Sequence, residues 1–346
     1  MSQQPSQQNW SNNHAGGQSR NHYGNHFGNV YHNYSGSPAP AASNNRNEPQ
    51  VPSTSSGSNA RPRSLDEFQI AIICALKKEY DAVDALMEEV WDREEAFKPR
   101  RPDSNTYTFG RLGGKPVALV NLPSMGEISA AGVASHIKIS LPNIEIAFLV
   151  GLCAGAPNDG KGNEISMADV IIGTQVIQED YGRLRDEGFE RKTAVEDVLG
   201  RLPPRVRGWL VQRSGRRHLK ELRQHTESVL SKAFEDSETA DDFAFPGRQA
   251  YESFPSSRKL KIFFGRIGSS NPTLRSQVRR DEMIKQDRIL GFEMESAGVW
   301  DQLPTVVVKA VCDYGDDQKN KEWQEFAALV AAACTTALVR DWVLHV

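Results

Sequence analysis

Acidic side chains follow two apolar stretches near the C-terminus of the chain. The stretches are Ile289–Phe292 and Val306–Val311, and the residues that follow them are Glu293, Met294, Glu295 and Asp313. Short apolar runs predict buried strands, and the carboxyl ends of strands are where open α/β folds build their sites. One carboxylate can bind sugar hydroxyls while another donates a proton to a leaving group. The simpler interpretation is that each acid caps the following helix, and for any single acid it is the better one.

A third acid, Glu79, occupies the same kind of position. It follows the apolar stretch Phe68–Leu76 and falls in the first turn of a predicted helix, Lys78–Val90. There it would complement the helix dipole. A buried glutamate whose pKa is raised can instead activate water as a general base. Three acids in equivalent positions favour a shared site over three separate caps.

The elements that position these acids begin only after a long tail. No Leu or Ile occurs before Leu65, and residues 1–66 are rich in Asn, Gln, Ser and Gly, which predicts a disordered tail. Segment 21–36 spaces four aromatic residues among Asn and Gly, a composition that is disordered alone but able to stack as β-structure. It is either a self-assembly segment or a plain flexible tail.

Residues 67–346 are predicted to form one α/β domain. Apolar strands alternate with helical patterns, which indicates a sheet covered on both faces. The other predicted strands are 107–112, 116–120, 144–150, 169–174 and 261–267, and the other predicted helices are 129–140, 273–285 and 323–343. Residues 181–258 are highly charged and are predicted to be an insertion on this domain, with helical pieces at Thr193–Leu199 and His218–Phe234. Its basic run from Arg191 to Lys220 is either a solvated helix face or a phosphate-binding surface.

Composition excludes several classes of protein. A net charge of −3 over 346 residues provides no overall field that favours nucleic acid. Four cysteines without CxxC spacing, and no paired Cys/His motif, predict reduced thiols, no metal site and no bound cofactor. The N-terminus lacks a signal pattern and no apolar run reaches the ~18 residues of a membrane helix. We therefore expect no membrane partner and a cytoplasmic location, with the nucleus left open.

A bend of small residues, Gly151–Gly155, follows one of the predicted strands. Small residues let backbone N–H groups approach an anion or a sugar oxygen closely. The bend matches neither GxGxxG nor the Walker A loop, so a dinucleotide or P-loop site is disfavoured. The absence of a GxSxG elbow also disfavours a serine hydrolase.

Seven stretches of the domain resemble the nucleoside phosphorylase superfamily, in the branch that contains methylthioadenosine/S-adenosylhomocysteine nucleosidase. The similarity is greatest to fungal versions that occur beside NACHT-type and ankyrin modules. The stretches are IAIICALKKEYDAV (70–83), LPSMGEISAAGVAS (122–135), IEIAFLVGLCAGAP (144–157), EISMADVIIGT (164–174), FFGRIGSSNPT (263–273), GFEMESAG (291–298) and the segment 307–333 that contains CDYGDD. The resemblance implies a three-layer α/β/α fold around a mixed, partly barrel-like sheet, and it covers nearly all of 68–343.

The resemblance also implies an enzyme that cleaves the N-glycosidic bond of a purine nucleoside. Asp313 matches the acid that protonates the leaving purine, and Glu79 matches the glutamate that orients the attacking water. Glu295 matches the carboxylate that binds the ribose hydroxyls, with Met294 packed under the sugar. The remaining implied substrate-binding residues are Glu293, Ser269, Ser270, Asn271, Leu152, Cys153, Ala154 and Gly155.

The chain departs from the family pattern in ways that bear on specificity. Pro272 and Thr273 occupy the position where an aromatic side chain often stacks on the base, so the resemblance does not define which base is preferred. The arginines that clamp phosphate in bacterial phosphorylases have no counterpart, which favours a nucleosidase over a phosphorylase, with phosphate as the alternative co-substrate. The resemblance further implies a homo-oligomer. The alternative function is that of a signalling or effector module in a fungal immune-like system, assembled through residues 21–36 and acting on adenine nucleotides.

Overall fold

The computed structural model describes residues 61–91, 97–246, 259–318 and 321–345. Two predictions lie outside the described residues. They are the disordered tail at 1–66, except for its last six residues, and self-assembly through segment 21–36.

Nine strands form the central sheet. They are β1 (Ile70–Cys74), β2 (Glu89–Val90), β3 (Tyr107–Leu112), β4 (Lys115–Asn121), β5 (Ile146–Gly155), β6 (Val170–Gln178), β9 (Ile262–Ser269), β10 (Ile289–Glu293) and β11 (Thr305–Asp313). Two further strands, β7 (Gly182–Arg185) and β8 (Gly188–Arg191), pair only with each other. The sheet order is β10-β9-β6-β11-β5-β1-β4-β3-β2, with both parallel and antiparallel pairs.

The sheet closes on itself at one end. Strand β10 pairs with β9 on one side and with β5 on the other, where Gly291 lies opposite Gly155 and Phe292 opposite Ala154. Strands β5, β11, β6, β9 and β10 therefore form a closed ring, while β1, β4, β3 and β2 extend from it as an open wing. This arrangement confirms the predicted mixed, partly barrel-like sheet.

Helices cover both sides of the sheet. They are α1 (Lys77–Asp84), α2 (Glu127–Ser140), α3 (Pro204–Ser214), α4 (Arg216–Ala233), α5 (Ser237–Asp242), α6 (Gln277–Asp287), α7 (Ser296–Trp300) and α8 (Gln324–Asp341). Helix α8 is apolar and buried from Phe326 to Val339, because it packs on β5 and β11 and is covered in turn by α1 and α4. Helix α2 packs against α7. Within the described residues no helix combines the length and the hydropathy that crossing a bilayer requires.

The direction of the strands explains where the acids lie. Strands β1, β5 and β11 are neighbours and parallel, so their carboxyl ends meet at one edge of the sheet. Helix α1 begins three residues after β1, which places Glu79 at this edge, and β11 ends in Asp313 itself. Side chains from distant parts of the chain thereby approach the same end of the ring.

Several predicted boundaries were wrong for reasons of tertiary pairing. The helix predicted at Lys78–Val90 ends at Asp84, because Glu89 and Val90 pair with β3 and form the edge strand β2. The strand predicted to end at Val150 continues through the small residues to Gly155, because both neighbouring strands pair with this segment. The small residues suggested a bend because the strands that pair with them could not be known from the sequence.

In the described part of the insertion, 181–246, the secondary structure differs from the predicted one. It begins with the β7–β8 hairpin, which was not predicted, and continues into α3, α4 and α5. Only a short 3₁₀ turn, Val195–Asp197, forms where a helical piece was predicted. The helix predicted at His218–Phe234 is present as α4, which begins two residues earlier.

Candidate active site

A cavity of about 420 Å³ lies at the carboxyl ends of β1, β5 and β11. This volume falls in the range of small-molecule sites in proteins, ~300–1,000 Å³. Of the twelve residues predicted for the site, nine line the cavity: Glu79, Leu152, Cys153, Ala154, Ser270, Glu293, Met294, Glu295 and Asp313. The acids therefore share a single cavity rather than lying in separate regions.

Glu79 is buried at the start of α1 and is bound through both carboxylate oxygens. Its Oε2 accepts hydrogen bonds from the backbone N–H groups of Ala75 and Leu76, each at 2.9 Å, and its Oε1 accepts one from Leu152 at 2.7 Å. The carboxylate thus links the end of β1 to β5. Burial raises the pKa of Glu79 and the charge of Glu295 adds to the rise, while Lys309 and the backbone donors oppose it.

Gly151 makes room for this carboxylate. A Cβ at position 151 would overlap Glu79 Oε1, and the residue has a positive φ of 152°. We expect Gly151→Ala to displace Glu79 and to lower the free energy of unfolding by about 1–3 kcal/mol, the usual range for an overpacked site. Chemical denaturation with circular dichroism measures this change.

Gly132→Ala in helix α2 is the matched control, since a Cβ there meets nothing within 4 Å. We expect it to be neutral or to stabilise by about 0.5–1 kcal/mol, because alanine is the better helix former. Equal effects of the two substitutions would contradict the role assigned to Gly151.

Glu295 and Glu293 lie on either side of Met294 but have different surroundings. Glu295 is 4% exposed, and its Oε1 accepts a hydrogen bond from the N–H of Gly126 at 3.2 Å. Glu293 accepts hydrogen bonds from the N–H of Glu295 and from both the N–H and the hydroxyl of Ser296. It therefore caps α7, the role that the simpler interpretation gave to each acid. Burial raises the pKa of Glu293. Lys309 opposes this rise, and the charge of Glu295 adds to it.

Asp313 ends β11 and is 3% exposed. Its Oδ1 accepts a hydrogen bond from the N–H of Gly315 at 2.8 Å, and the Cys312 thiol lies 3.3 Å from Oδ2. The β-strand bulges between Val311 and Asp313, so that Asp313 lies beside Ala154 of β5 and faces the cavity.

Three of the predicted residues lie outside the cavity wall. The Ser269 hydroxyl accepts a hydrogen bond from the N–H of Ala297, and Asn271 binds Asp180 and Glu127. Gly155 lies in the β5–β10 seam, where a Cβ would overlap Val311. Ser269 and Gly155 are buried next to the wall, whereas Asn271 is exposed outside it.

Two buried charged residues near the cavity were not predicted. Glu179 lines it, is 6% exposed and lies 3.8 Å from Arg191 Nε; burial raises its pKa. It follows β6, whose end was predicted four residues too early, so the strand-end rule would have found it with the correct boundary. Lys309 is buried within β11 beneath the acids, and its signal was a single charge in an apolar run.

A closed mixed sheet with a cavity lined by acids from several strand ends is typical of α/β enzymes that act on small molecules. The chain belongs to the phosphorylase superfamily, since the model of that family matches residues 69–340. This result confirms the resemblance found in the sequence.

Individual relatives agree with this assignment. A "Nucleotide-binding leucine-rich repeat (NLR)-like protein" from Hyaloscypha variabilis is 27% identical over an alignment of 301 residues that covers 79% of this chain. The chain spans only 29% of the length of that protein. The association with an NLR-like protein is consistent with the predicted fungal branch.

Solved structures show the same fold. The 5′-methylthioadenosine/S-adenosylhomocysteine nucleosidase from Neisseria meningitidis, in complex with methylthio-immucillin-A, is 18% identical with a TM-score of 0.54, over 79% of this chain and 99% of that chain. Futalosine hydrolase from Helicobacter pylori is 15% identical with a TM-score of 0.53, over 80% and 98%.

Proposed function

We propose that the chain hydrolyses the N-glycosidic bond of a purine nucleoside. The observation that carries this proposal is that Glu79, Glu295 and Asp313, from three separate elements, line one cavity. Asp313 protonates the leaving purine, Glu295 binds the ribose hydroxyls, and Glu79 accepts a proton from the attacking water. Leu152, Cys153 and Ala154 form the wall between Glu79 and Asp313. A nucleoside fills a cavity of this size, and the two-acid arrangement supplies a base for the nucleophile and an acid for the leaving group.

Water suits this cavity better than phosphate as the nucleophile. Four glutamates line the cavity and would repel an entering phosphate dianion: Glu79, Glu179, Glu293 and Glu295. The proposal requires no metal or cofactor. It places the reaction in the cytoplasm, where thiols such as those of the four buried cysteines remain reduced.

A nucleotide is the second candidate substrate. Lys78, Arg275 and Lys321 line the cavity alongside its acids, which provides positive charge for a 5′-phosphate. The basic run of the insertion, in contrast, is largely occupied: Arg191 binds Asp287, Arg205 binds Glu145 and Arg213 binds Asp341. We therefore assign phosphate recognition, if the substrate carries one, to the cavity's own cations rather than to the insertion.

Release of free base tests the proposal directly. The full chain is incubated with purine nucleosides, 5′-substituted adenosines and adenine nucleotides, with and without phosphate, and the products are separated by chromatography. We expect free base without phosphate. Base released only with phosphate would make the chain a phosphorylase, and no base from any compound would contradict the proposal.

We also propose that a homo-oligomer completes the site. Met125 lines the cavity yet is 54% exposed, and Ile128, three residues further on, is 88% exposed. Apolar side chains at the mouth of a site are typical of surfaces covered by a partner. Analytical ultracentrifugation is expected to show a dimer or larger species that Ile128→Asp weakens, whereas Val343→Asp, 74% exposed near the C-terminus, leaves it unchanged. A monomeric wild-type chain would contradict this proposal.

A role as a signalling module remains the alternative from a different class, and the NLR-like relative favours it. In that case segment 21–36 recruits or assembles partners. Deletion of residues 1–60 separates the two functions: assembly measured by light scattering would be lost, while base release by the remaining chain would persist.

A further inference from the structure

Lys309 is a buried cation that the proposed chemistry leaves without a role. It lies in the middle of β11, paired with Gly151 of β5 and Ile171 of β6, and has no exposed surface. It lies behind the cavity wall, four residues before Asp313. A fully buried ammonium group is costly unless charges compensate it.

The surroundings of Lys309 supply negative charge rather than hydrogen bonds. Its Nζ lies 3.8 Å from Glu295 Oε2 and 4.0 Å from Glu293 Oε2, beyond hydrogen-bonding distance. Within the part of the chain that the structure describes, Nζ has no hydrogen-bond partner. The titratable groups that face it come from four elements and are Glu79, Glu293, Glu295, Cys74 and Cys153.

We propose that Lys309 is a positioning residue that acts from behind the cavity wall, keeping Glu79 charged and holding Glu79 and Glu295 in place. The inference rests on the proposed function, since it concerns the two glutamates that serve the water and the ribose. Lys309 does not touch the substrate; it acts through the carboxylates that do.

The electrostatics of the cluster support this role. Burial by itself would lower the pKa of Lys309, but Glu79, Glu295 and Glu293 raise it, so the group stays charged. Conversely, Lys309 opposes the rise that burial causes in the pKa of Glu79 and of Glu293. Removing the charge would therefore raise both carboxyl pKa values further, and Glu79 would be protonated over a wider range of pH.

The test compares Lys309→Met, which keeps length and removes charge, with Lys309→Arg, which keeps charge. The pH profile of kcat/KM is measured with the best nucleoside from the panel. Because the base must be ionised, we expect Lys309→Met to move the acid limb upward by about one pH unit or more, with about a tenfold loss at pH 6 that shrinks toward pH 9. Lys309→Arg is expected to leave the limb near that of the wild type. A folded Lys309→Met with an unmoved limb would overturn the proposal.

A second measurement does not depend on activity. A carboxyl group whose pKa is raised by folding contributes stability at low pH that is lost as the pH rises through its folded-state pKa. The difference in Tm between wild type and Lys309→Met should therefore grow from pH 5 to pH 8. A difference that is constant with pH would overturn the proposal, whether or not the chain proves to be a nucleosidase.

Failure of Lys309→Met to fold is also informative. Lys309→Met combined with Glu293→Gln removes one negative charge together with the cation. If the double variant folds where the single variant does not, charge compensation is supported. If Lys309→Met, the double variant and Lys309→Arg all fail to fold at every pH, Lys309 is required for packing and the proposal is overturned.

Discussion

Replacement of Asp313 by Asn is expected to lower kcat/KM for base release by about 10²–10⁴-fold, the usual contribution of a general acid. The substitution keeps an oxygen that can accept the hydrogen bond from the N–H of Gly315, so the fold of the strand end should be preserved. What is lost is the proton for the departing purine. Steady-state kinetics with chromatographic detection of the base measures the effect.

The choice of substrate separates this role from a structural one. A 7-methylated purine nucleoside already carries positive charge on its base, so the base leaves without a proton from the protein. We expect Asp313→Asn to approach wild-type rates with it. Asp317→Asn, at an exposed position four residues on, is the control and should behave as wild type with both substrates. An equal loss with both substrates would argue against Asp313 as the acid.

Replacement of Glu79 by Gln is expected to lower kcat/KM by a similar factor, about 10²–10⁴-fold, but without rescue by the methylated substrate. The reason is that Glu79 serves the attacking water and not the leaving base. Glu127→Gln, in the first turn of α2 and outside the cavity wall, is a suitable control. Recovery of Glu79→Gln with the methylated substrate would mean that the two residues had been assigned the wrong way round.

The wild-type pH profile carries a further signature of Glu79. Its carboxylate must be ionised to act as a base, and burial raises its pKa above the usual glutamate range. Activity should therefore fall with decreasing pH at a higher value than for an exposed glutamate. This acid limb should be absent from the residual activity of Glu79→Gln.

The location of the principal acids at the ends of strands could be predicted from the sequence. Each of Glu79, Glu295 and Asp313 follows an apolar run. The parallel strands β1, β5 and β11 bring Glu79 and Asp313 to one edge of the sheet, whereas Glu295 follows β10, which pairs with the end of β5 in the antiparallel direction. That rule depends only on local patterns and on strand direction. It accounts for Glu79 and Asp313, while the closure of the ring by β10 brings Glu295 to the same cavity. The individual roles of the three acids stay predictions.

Features that depend on pairing between distant segments were not predictable in this way. Lys309 is 230 positions from Glu79 in the sequence, and nothing near it indicates which carboxylates surround it. The same holds for Gly155, whose role is set by Val311 and by β10. Ser269 and Asn271 were expected to face the substrate, yet Ser269 is hydrogen-bonded to Ala297 and Asn271 to Asp180, and neither lines the cavity.

The closed ring of strands also limits how substrate can reach the acids. Because β10 is hydrogen-bonded to both β9 and β5, the wall of the cavity has no free sheet edge along which it could part. Among the described residues, Met125, Thr273 and Lys321 lie in loops at the rim of the cavity, and we expect substrate to enter and leave on that side. A ligand or another protein that controls turnover would thus act at this rim of the cavity.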